Sequence, residues 1–303
     1  MKYNFGLIGG DLRQTYLVKL LLEDDISDKI NLYGVSGVDK ENNDVRLCGC
    51  VEEVVRNSDV IIGAIPFTKD GVYVTGCNDN DGLRIDAFAD KFLSVCPCRT
   101  VASSKYFFAG AVPGNVYAPL KEAGVNVFDI TARDDFAVLN AVPTAEGAIQ
   151  YIMAETPYTL AGRNVLVIGS GRVGRVVSHK FDRLNMNVTV SSRKPSERAL
   201  WSAYGINSCG YGKDFREAVS KADIVVNTVP LPVVDDECLS VFKDEVLIID
   251  LATGCDFFAL CNEEKALKHK VIKLPGLPGK VAPLTAASYI KTVMVNILAE
   301  NGG

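Results

Sequence analysis

Residues 164–177 read NVLVIGSGRVGRVV, and this stretch decides the fold of the chain. Its first five residues form an apolar run of the kind that is buried in a parallel sheet. The residues from Arg172 to Leu184 have the apolar spacing of an amphipathic helix. Between strand and helix lies the pattern GxGxxG, which in this context is typical of a dinucleotide-binding turn. The sequence therefore predicts a Rossmann-type α/β domain around this turn.

Each glycine of the turn has its own physical task. Gly169 permits the tight turn, Gly171 lets a pyrophosphate approach the backbone, and Gly174 allows helix and strand to pack closely. The helix that follows offers unpaired N–H groups and a partial positive charge to an anion. We therefore expect the whole turn to bind cofactor: Gly169, Ser170, Gly171, Arg172, Val173 and Gly174. The alternative is a glycine-rich turn that binds no ligand.

The end of the next predicted strand indicates which dinucleotide binds. A domain that binds NAD usually carries an acidic residue there, about 20 residues after the glycine turn. Here the strand ends in a basic, hydroxyl-rich turn made of Ser191, Ser192, Arg193 and Lys194. Hydroxyl groups and a guanidinium suit a 2′-phosphate, which predicts NADP (NADPH) rather than NAD. The alternative is a surface turn that happens to be basic.

Two later strand ends are expected at the same cleft, because open α/β sheets bind ligands where their parallel strands end. Segment 227–230 reads NTVP and segment 250–252 reads DLA, each directly after an apolar run. Both segments also have ordinary turn chemistry, since Asn, Asp and Pro favour turns. The predicted contacts to ribose or nicotinamide are Thr228, Val229, Pro230, Asp250 and Ala252.

Apolar runs alternate with helical patterns along both halves of the chain, which predicts an α/β fold with two parallel-sheet domains. We expect a substrate-side domain over 1–140, a connector helix over 141–157 opened by Pro143, and the Rossmann domain over 158–280. A last helix, within 281–303, is a candidate to pack back on the first domain. The predicted strands of the first domain are Tyr3–Ile8, Lys29–Val35, Asp59–Ile65, Thr100–Ser103 and Asn126–Ile130. Those of the Rossmann domain are Asn164–Ile168, Asn187–Ser191, Ile224–Asn227, Val246–Asp250 and Val271–Lys273.

Composition excludes several classes of protein. With 303 residues, of which 48% are hydrophobic and 23% charged, the chain has the make-up of a globular protein. A net charge of −5 and a single adjacent pair of basic residues argue against a nucleic-acid partner. The chain shows no export signal and no run that could span a membrane, so we expect a cytoplasmic protein. Nine scattered cysteines and two histidines predict reduced thiols and no metal site.

Two polar segments, one in the first domain and one where it meets the connector helix, suit a small acid. Residues 9–13 read GGDLR after a predicted strand, but they lack the third glycine of a dinucleotide turn. Backbone N–H groups and Arg13 there suit a carboxylate, with a plain tight turn as the alternative. The other segment, 133–146, lies near the start of the connector helix, and helix capping is its alternative role. Its polar side chains include Arg133, Asp135, Asn140, Thr144 and Glu146.

Six segments together match one known family. They are GGDLR at 9–13, RDDFAVLNAVPTAEGAI at 133–149, GSGRVG at 169–174, NTVP at 227–230, IIDLA at 248–252 and PGLPGKVAPLTA at 275–286. In these segments, and in this order, the chain resembles the A subunit of dipicolinate synthase, an enzyme of bacterial sporulation. The last segment is the most specific, because it is long and is not a general nucleotide-binding pattern.

The resemblance implies oxidation of dihydrodipicolinate, or of its 4-hydroxy tetrahydro precursor, to pyridine-2,6-dicarboxylate on a branch of the lysine pathway. NADP would accept the hydride, and the flavoprotein-like B subunit of dipicolinate synthase would be the partner in the mother-cell cytoplasm. A dicarboxylate calls for two cationic or N–H-rich sites, and hydroxyl groups at the end of the strand predicted over 100–103 could assist. The expected substrate-binding residues are Arg13, Ser103, Ser104, Arg133, Asn140 and Thr144. The candidates for proton transfer are Glu146 and Asp135.

Other interpretations stay open. The domain order resembles that of the D-2-hydroxyacid dehydrogenases, but these use a histidine late in the chain, and no histidine follows His269. An alanine- or shikimate-dehydrogenase-like enzyme that acts on another small acid is a second alternative. A non-catalytic NADP-binding sensor would keep the two turns but would lack the cluster at 133–146. Assembly into a homo-oligomer is left open by the sequence.

Overall fold

The computed structural model describes residues 2–24, 26–39, 42–77, 82–254, 256–266 and 268–302. The chain divides into two compact units, one formed by residues 1–137 and 282–303 and the other by residues 138–281. Each unit contains one six-stranded sheet in which every described strand pair is parallel. The predicted α/β fold with two parallel-sheet domains, the second of Rossmann type, is therefore confirmed.

The sheet of the first unit has the strands β1 Tyr3–Ile8, β2 Ser27–Tyr33, β3 Val45–Leu47, β4 Val60–Ile62, β5 Tyr106–Ala109 and β6 Asn126–Asp129. Their order across the sheet is β3-β2-β1-β4-β5-β6. The chain moves outward from β1 to β3 and then returns to the other side of β1. The direction of winding therefore reverses between β1 and β4, and open α/β sheets hold ligands at such a reversal.

The sheet of the second unit has the strands β7 Asn164–Ile168, β8 Asn187–Ser191, β9 Asn207–Cys209, β10 Ile224–Asn227, β11 Leu247–Asp250 and β12 Val271–Lys273. Their order is β12-β11-β10-β7-β8-β9, so the winding reverses between β7 and β10. Alternate residues of β7 enter separate buried clusters, with Val165 and Val167 in one and Leu166 and Ile168 in the other. Apolar side chains therefore cover both faces of this sheet.

Helices connect these strands. They are α1 Leu12–Glu23, α2 Val51–Arg56, α3 Ile85–Leu93, α4 Arg99–Ser103, α5 Gly114–Ala123, α6 Asp134–Glu155, α7 Arg172–Arg183, α8 Pro195–Ala203, α9 Lys213–Lys221, α10 Asp236–Leu239, α11 Glu263–Ala266, α12 Leu277–Val281 and α13 Pro283–Glu300. The C-terminal helix α13 packs against α1 within the first unit. An ion pair of 2.6 Å joins Lys291 Nζ of α13 to Oδ2 of Asp24, the residue that follows α1.

The predicted elements differ from the structure in several bounds, β3 and β9 were not predicted, and the largest differences concern one strand and one helix. The strand expected over Thr100–Ser103 is wrong, because these residues belong to α4, and the strand follows at Tyr106–Ala109. Phe107 of that strand lies in a cluster of aromatic rings with Phe67, Phe88 and Phe92. Burial of these rings therefore outweighs the β-branched side chains at 100–101, which favour a strand only weakly.

The long helix also starts earlier than expected. It begins at Asp134, so that Pro143 lies inside α6 and does not open it. Two aspartates in the first turn favour a start there, since negative charge stabilises a helix N-terminus. Pro143 has no N–H to donate, so one helical hydrogen bond is missing in the middle of α6. The boundary between the units falls within this helix, after Ala137.

Three further properties concern the described part of the chain. No helix in it is long and apolar enough to cross a membrane. None of its eight cysteines forms a disulfide, and Cys255 lies outside the described residues. Within the same ranges, no group of three His, Cys, Asp or Glu side chains could hold a metal ion.

Candidate functional site

A cavity of about 770 Å³ opens in the second unit where its sheet reverses. It lies at the carboxyl ends of β7, β8 and β10, and Val138 of α6 and Tyr211 also line it. The predicted cofactor residues that line it are Gly169, Ser170, Gly171, Arg172, Ser191, Ser192, Arg193, Lys194, Thr228, Val229 and Pro230. Four other predicted cofactor residues do not line it: Val173, Gly174, Asp250 and Ala252.

The glycines of the turn 169–174 differ in what requires them. A Cβ on Gly169 would lie 2.6 Å from Thr228 Oγ1, and a Cβ on Gly174 would lie 2.1 Å from the Gly169 carbonyl oxygen. Protein packing therefore excludes a side chain at both positions. Gly171, in contrast, has a φ of −78° that any residue adopts, and a Cβ there would meet no atom within 4 Å. The open space at Gly171 fits the close approach of a cofactor pyrophosphate to the start of α7.

Ser170, the residue between the first two glycines, makes side-chain contacts within the protein. Its hydroxyl donates to Glu197 Oε2 at 2.8 Å and accepts from Trp201 Nε1 at 2.8 Å. Arg175 Nη2 donates to both oxygens of Glu197, at 2.8 and 2.6 Å. The hydrogen bonds from Arg175 and Ser170 lower the pKa of the Glu197 carboxyl, which is therefore ionised at neutral pH.

Sequence reasoning missed Arg175 and Glu197, although both line the cavity. Arg175 follows the last glycine of the turn directly, and Glu197 lies in the first turn of α8. The position of Arg175 was a usable signal, because cations in the first turn after a glycine motif lie close to the bound anion. Its pairing with Glu197, which is 22 residues away, is not visible in any local pattern.

The basic turn after β8 has a buried backbone and exposed charges. Ser191 and Ser192 are buried, whereas Arg193 and Lys194 are exposed. Arg198 Nη1 donates to the carbonyl oxygens of Ser192 and Arg193, at 2.8 and 3.1 Å. Arg198 therefore holds the turn through its backbone carbonyls, while the two cationic side chains of the turn line the cavity.

Asn227 and Asp250 connect the ends of β10 and β11. Asn227 Nδ2 donates to Asp250 Oδ1 at 2.9 Å, and the same oxygen accepts from the Ala252 N–H at 3.1 Å. Asp250 is 2% exposed, and burial raises the pKa of its carboxyl. The Val229 N–H donates to Asn227 Oδ1 at 3.1 Å, so the pair positions the segment 228–230 that lines the cavity.

In the first unit, Arg13 is bound by the protein itself. Its Nε and Nη2 donate to the two carboxylate oxygens of Asp11 at 2.9 and 2.8 Å, and Nη2 also donates to the Ile65 carbonyl. Asp11 caps α1, because Oδ1 accepts from the Arg13 N–H at 3.1 Å. The Asp11 N–H in turn donates to Gln14 Oε1 at 2.9 Å. A carboxylate of the chain therefore holds the anion position at the start of α1.

Arg133 is likewise paired within its unit. It donates to Asp135 through Nε at 3.0 Å and Nη2 at 2.8 Å, and to Glu300 Oε2 through Nη1 at 2.8 Å. These hydrogen bonds raise the pKa of Arg133 and lower the pKa of the Asp135 carboxyl. Glu146 forms a different ion pair, with Lys180 Nζ at 2.7 Å. Asp135 and Glu146 are eleven residues apart on α6, which places them about 16 Å apart along the helix axis.

The remaining candidate hydroxyls donate to backbone carbonyls. Ser103 Oγ donates to Thr100 O at 3.1 Å, and Ser104 Oγ donates to Val101 O at 2.8 Å. Both serines precede β5, so they lie where the strands of the first sheet begin, at the edge opposite Gly9 and Arg13. Thr144 Oγ1 donates to the carbonyl of Asn140 at 2.8 Å, and Asn140 is half-buried. The expectation that Ser103 and Ser104 lie beside Arg13 is therefore wrong.

Two known protein families match this chain, one over the residues of each sheet. Residues 4–131 match the family described as the N-terminal domain of the dipicolinate synthase A subunit. Residues 144–273 match the NAD-binding domain of the D-isomer-specific 2-hydroxyacid dehydrogenases. The glycine turn, the basic turn and every described residue that lines the cavity except Val138 fall within the second match.

Similarity also extends over the full chain. The dipicolinate synthase A subunit of Bacillus subtilis (strain 168) is 30% identical over 298 residues, which cover 97% of this chain and 95% of the relative. A crystal structure of the dipicolinate synthase A subunit from Bacillus halodurans superposes with a TM-score of 0.81 and 29% identity, covering 98% of this chain and 97% of that one. The corresponding crystal structure from Bacillus subtilis superposes with a TM-score of 0.80 and 28% identity, with coverage of 99% and 97%.

Proposed function

The chain belongs to the family of dipicolinate synthase A subunits, and we propose that it oxidises dihydrodipicolinate, or its 4-hydroxy tetrahydro precursor, to pyridine-2,6-dicarboxylate with NADP. The observation that carries the proposal is the match over 97% of the chain, which includes both units. The dehydrogenase-type NAD-binding domain by itself supports an oxidoreductase with a nicotinamide dinucleotide cofactor. The mother-cell cytoplasm during sporulation is the proposed setting.

The choice of NADP over NAD rests on the charges that line the cavity. Arg193 and Lys194 place two cations just after the end of β8, where a 2′-phosphate of the adenosine ribose would lie. Among the described residues that line the cavity, Glu197 is the one carboxylate, and it is bound by Arg175 and Ser170. No free acid is therefore offered to the ribose hydroxyls by this part of the chain. This combination supports a cofactor that carries the additional phosphate.

The substrate would have to compete with carboxylates of the protein. Arg13 is held by Asp11, and Arg133 is held by Asp135 and Glu300. We propose that these two guanidinium groups bind the two substrate carboxylates after exchange with their internal partners. The amide of Asn140 is the proposed additional donor. Ser103 and Ser104 have no part in this arrangement, because they lie at the end of the first sheet opposite Arg13. Thr144 contributes less than the arginines, because its hydroxyl already donates to a carbonyl.

From dihydrodipicolinate, the reaction removes a hydride from a ring carbon and a proton from the neighbouring nitrogen or carbon, which leaves an aromatic pyridine ring. The 4-hydroxy tetrahydro precursor would in addition lose its hydroxyl group as water. The nicotinamide ring of a bound cofactor would accept the hydride. Asp135 and Glu146 are too far apart along α6 to serve the same proton. We propose Asp135 as the base, since its carboxylate becomes free to accept a proton when Arg133 exchanges to the substrate. Glu146 then serves as the ion-pair partner of Lys180.

A coupled assay tests the proposed reaction. Fresh product of dihydrodipicolinate synthase would be mixed with NADP and this chain, with and without the flavoprotein-like B subunit, which is the proposed partner. We expect dipicolinate to appear by its ultraviolet absorbance, together with NADPH. A chain that binds NADPH but forms no dipicolinate under any pairing would contradict the proposed substrate.

Two matched variants test the proposed base. Asp135→Asn should reduce turnover at least about a hundredfold while NADPH affinity stays unchanged, because a general base is lost. Glu146→Gln should keep turnover within about threefold, because the loss of a surface ion pair costs little. The reverse result, with Glu146→Gln inactive and Asp135→Asn active, would assign the proton transfer to Glu146.

A further inference from the structure

Four side chains form a closed network beside the cavity: Ser170, Arg175, Glu197 and Trp201. Glu197 accepts from Ser170 Oγ at 2.8 Å and from Arg175 Nη2 at 2.8 and 2.6 Å. Trp201, one turn further along α8, donates from Nε1 to the same Ser170 hydroxyl at 2.8 Å. Arg175 Nε also donates to the Ser170 carbonyl at 3.2 Å. The network therefore fixes Ser170 through both its side chain and its backbone.

The network joins two parts of the cofactor site that are separate in sequence. Ser170 belongs to the glycine turn, and Arg175 lies in the first turns of the helix that follows it. Glu197 and Trp201 lie on α8, which begins at Pro195 directly after Arg193 and Lys194. The glycine turn is where a pyrophosphate would bind, and the basic turn is where a 2′-phosphate would bind. Their separation is therefore set by contacts to Glu197 and Trp201.

Glu197 itself is poorly suited to contact the cofactor. Both of its oxygens accept hydrogen bonds from the protein, and its side chain is 21% exposed. A carboxylate without these partners would repel the phosphates of a dinucleotide. The paired cation of Arg175 cancels this charge, so the network can lie beside an anion site. Trp201 is 2% exposed, which gives the network a rigid buried side.

We propose that Glu197 is a positioning residue for the cofactor, acting through Ser170 and Arg175 to hold the glycine turn and the basic turn at the spacing that NADP requires. The inference rests on the proposed NADP specificity. A ligand that contacts both turns gains from a fixed spacing, because less ordering is left to be done on binding. NADH lacks the 2′-phosphate and engages the basic turn less, so it depends less on Glu197.

Titration of the full chain with NADPH and NADH tests the proposal by binding alone. Trp201 is the sole tryptophan of the sequence, so its fluorescence reports binding next to Ser170, and calorimetry gives an independent dissociation constant. The variants are Glu197→Ala, Glu197→Gln, Ser170→Ala and the double variant Ser170→Ala/Glu197→Ala. Glu217→Ala is the matched control, because Glu217 is also ion-paired, with Lys221 at 2.6 Å, but does not line the cavity. Thermal unfolding confirms that each variant is folded.

We expect Glu197→Ala to raise the dissociation constant of NADPH about tenfold and that of NADH about threefold or less, since hydrogen bonds to a charged group are lost. Glu197→Gln should stay within about threefold of the wild type, because the amide can still accept from Arg175. Glu217→Ala should bind as the wild type does. The double variant should match Glu197→Ala within about twofold, because Glu197 acts through Ser170.

Several results would overturn the positioning role. In a folded Glu197→Ala protein, unchanged NADPH affinity would show that Glu197 does not position the cofactor, and higher affinity would show that it acts as a repelling charge. An equal loss in Glu197→Gln and Glu197→Ala would assign the effect to the charge and not to the contacts. Losses that multiply in the double variant would separate Glu197 from Ser170. Tighter binding of NADH than of NADPH by the wild type would contradict the cofactor proposal, and it is measured before any variant is made.

Discussion

The two sheets of this chain have the same strand order, but they differ at the point where that order reverses. The second sheet has an open cavity there, whereas side chains of the protein close the turn of the first sheet. Numbered from the first strand of each unit, both run third, second, first, fourth, fifth, sixth across the sheet. In the second unit the reversal lies at a cavity of about 770 Å³, and the glycine turn 169–174 lines this cavity. Its middle glycine, Gly171, faces open space. In the first unit the corresponding turn, after β1, is capped by Asp11 and closed by Arg13.

The glycines of the two turns show the same contrast. A Cβ on Gly10 would lie 2.2 Å from Gln14 Cδ, and a Cβ on Gly76 would lie 2.3 Å from the Gly10 carbonyl oxygen. A Cβ on Gly171 would meet no atom within 4 Å. The first turn thus needs glycine for contacts within the protein, whereas Gly171 leaves room for a ligand. Topology provides a ligand-binding position in both sheets, and the local side chains decide whether it is open.

Gly171→Leu should give the largest effect. Gly171 lines the cavity and a Cβ there meets no protein atom within 4 Å, so we expect NADPH affinity to fall more than about a thousandfold while the melting temperature changes by less than about 2 °C. Gly114→Leu is the control, because Gly114 also faces open space but lies in the first unit. Calorimetry measures the NADPH affinity, and thermal unfolding measures the melting temperature. Unchanged NADPH affinity in Gly171→Leu would show that the pyrophosphate does not bind at this turn.

Gly76→Ala should have the opposite result, with stability lost and cofactor binding kept. Its φ of +85° disfavours a side chain, and the added Cβ would meet the backbone of Gly10. We expect the free energy of unfolding to fall by about 3 kcal/mol. Gly71→Ala separates the two causes, because Gly71 has a φ of +74° but no atom within 4 Å of the added Cβ. Equal losses in the two variants, measured by urea unfolding, would mean that the first turn is not tightly packed.

The fold around residues 164–191 was predictable because local patterns determine it. An apolar run, a glycine turn and an amphipathic helix follow one another there, and the strands Asn164–Ile168 and Asn187–Ser191 have the predicted bounds. The secondary structure of the region 99–109 was harder to predict, because both Thr100-Val101 and the aromatic run after it favour a strand. Only burial of the aromatic rings against distant side chains decides between them.

The candidate site was predictable where one segment supplies it and not where distant residues meet. The glycine turn is one continuous segment of the sequence, the basic turn is another, and both line the cavity. The pairing of Arg133 with Glu300 spans 167 residues, so no local pattern indicates it. The partners Asp11 and Asp135, however, each lie two residues from their arginine. That spacing was a signal that both guanidinium groups have internal partners.

Arg193→Ala examines the charge at the open reversal point. We expect NADPH affinity to fall about tenfold and NADH affinity to change less than about twofold, because only the 2′-phosphate makes a charge-assisted hydrogen bond to this side chain. Arg183→Ala is the control, since Arg183 is exposed at the end of α7 and does not line the cavity. Calorimetric titration with both cofactors decides the matter. An equal loss for NADPH and NADH would contradict the phosphate-binding role of Arg193.

In the first unit, Asp11 supplies the negative charge at the turn after β1, where the strand order reverses. Burial raises the pKa of its carboxyl, but the hydrogen bonds and charge of Arg13 outweigh burial, so the net effect is a pKa below the usual range. A carboxyl with a lowered pKa in the folded state stabilises the fold above its unfolded pKa of about 3.9. That stabilisation is lost as the pH falls through the folded pKa.

Asp11→Asn should therefore give a small loss of stability that depends on pH. Asparagine is as good an N-cap as aspartate, so the variant keeps the cap of α1 and removes the ion pair with Arg13. We expect the free energy of unfolding to fall by about 1 kcal/mol at pH 7, with the difference from the wild type shrinking between about pH 5 and pH 3. Asp86→Asn is the control, because its ion pair with Arg84 has the same spacing but both side chains are more than half exposed. A difference at Asp11 that stays constant over this pH range would mean that its charge does not close the turn.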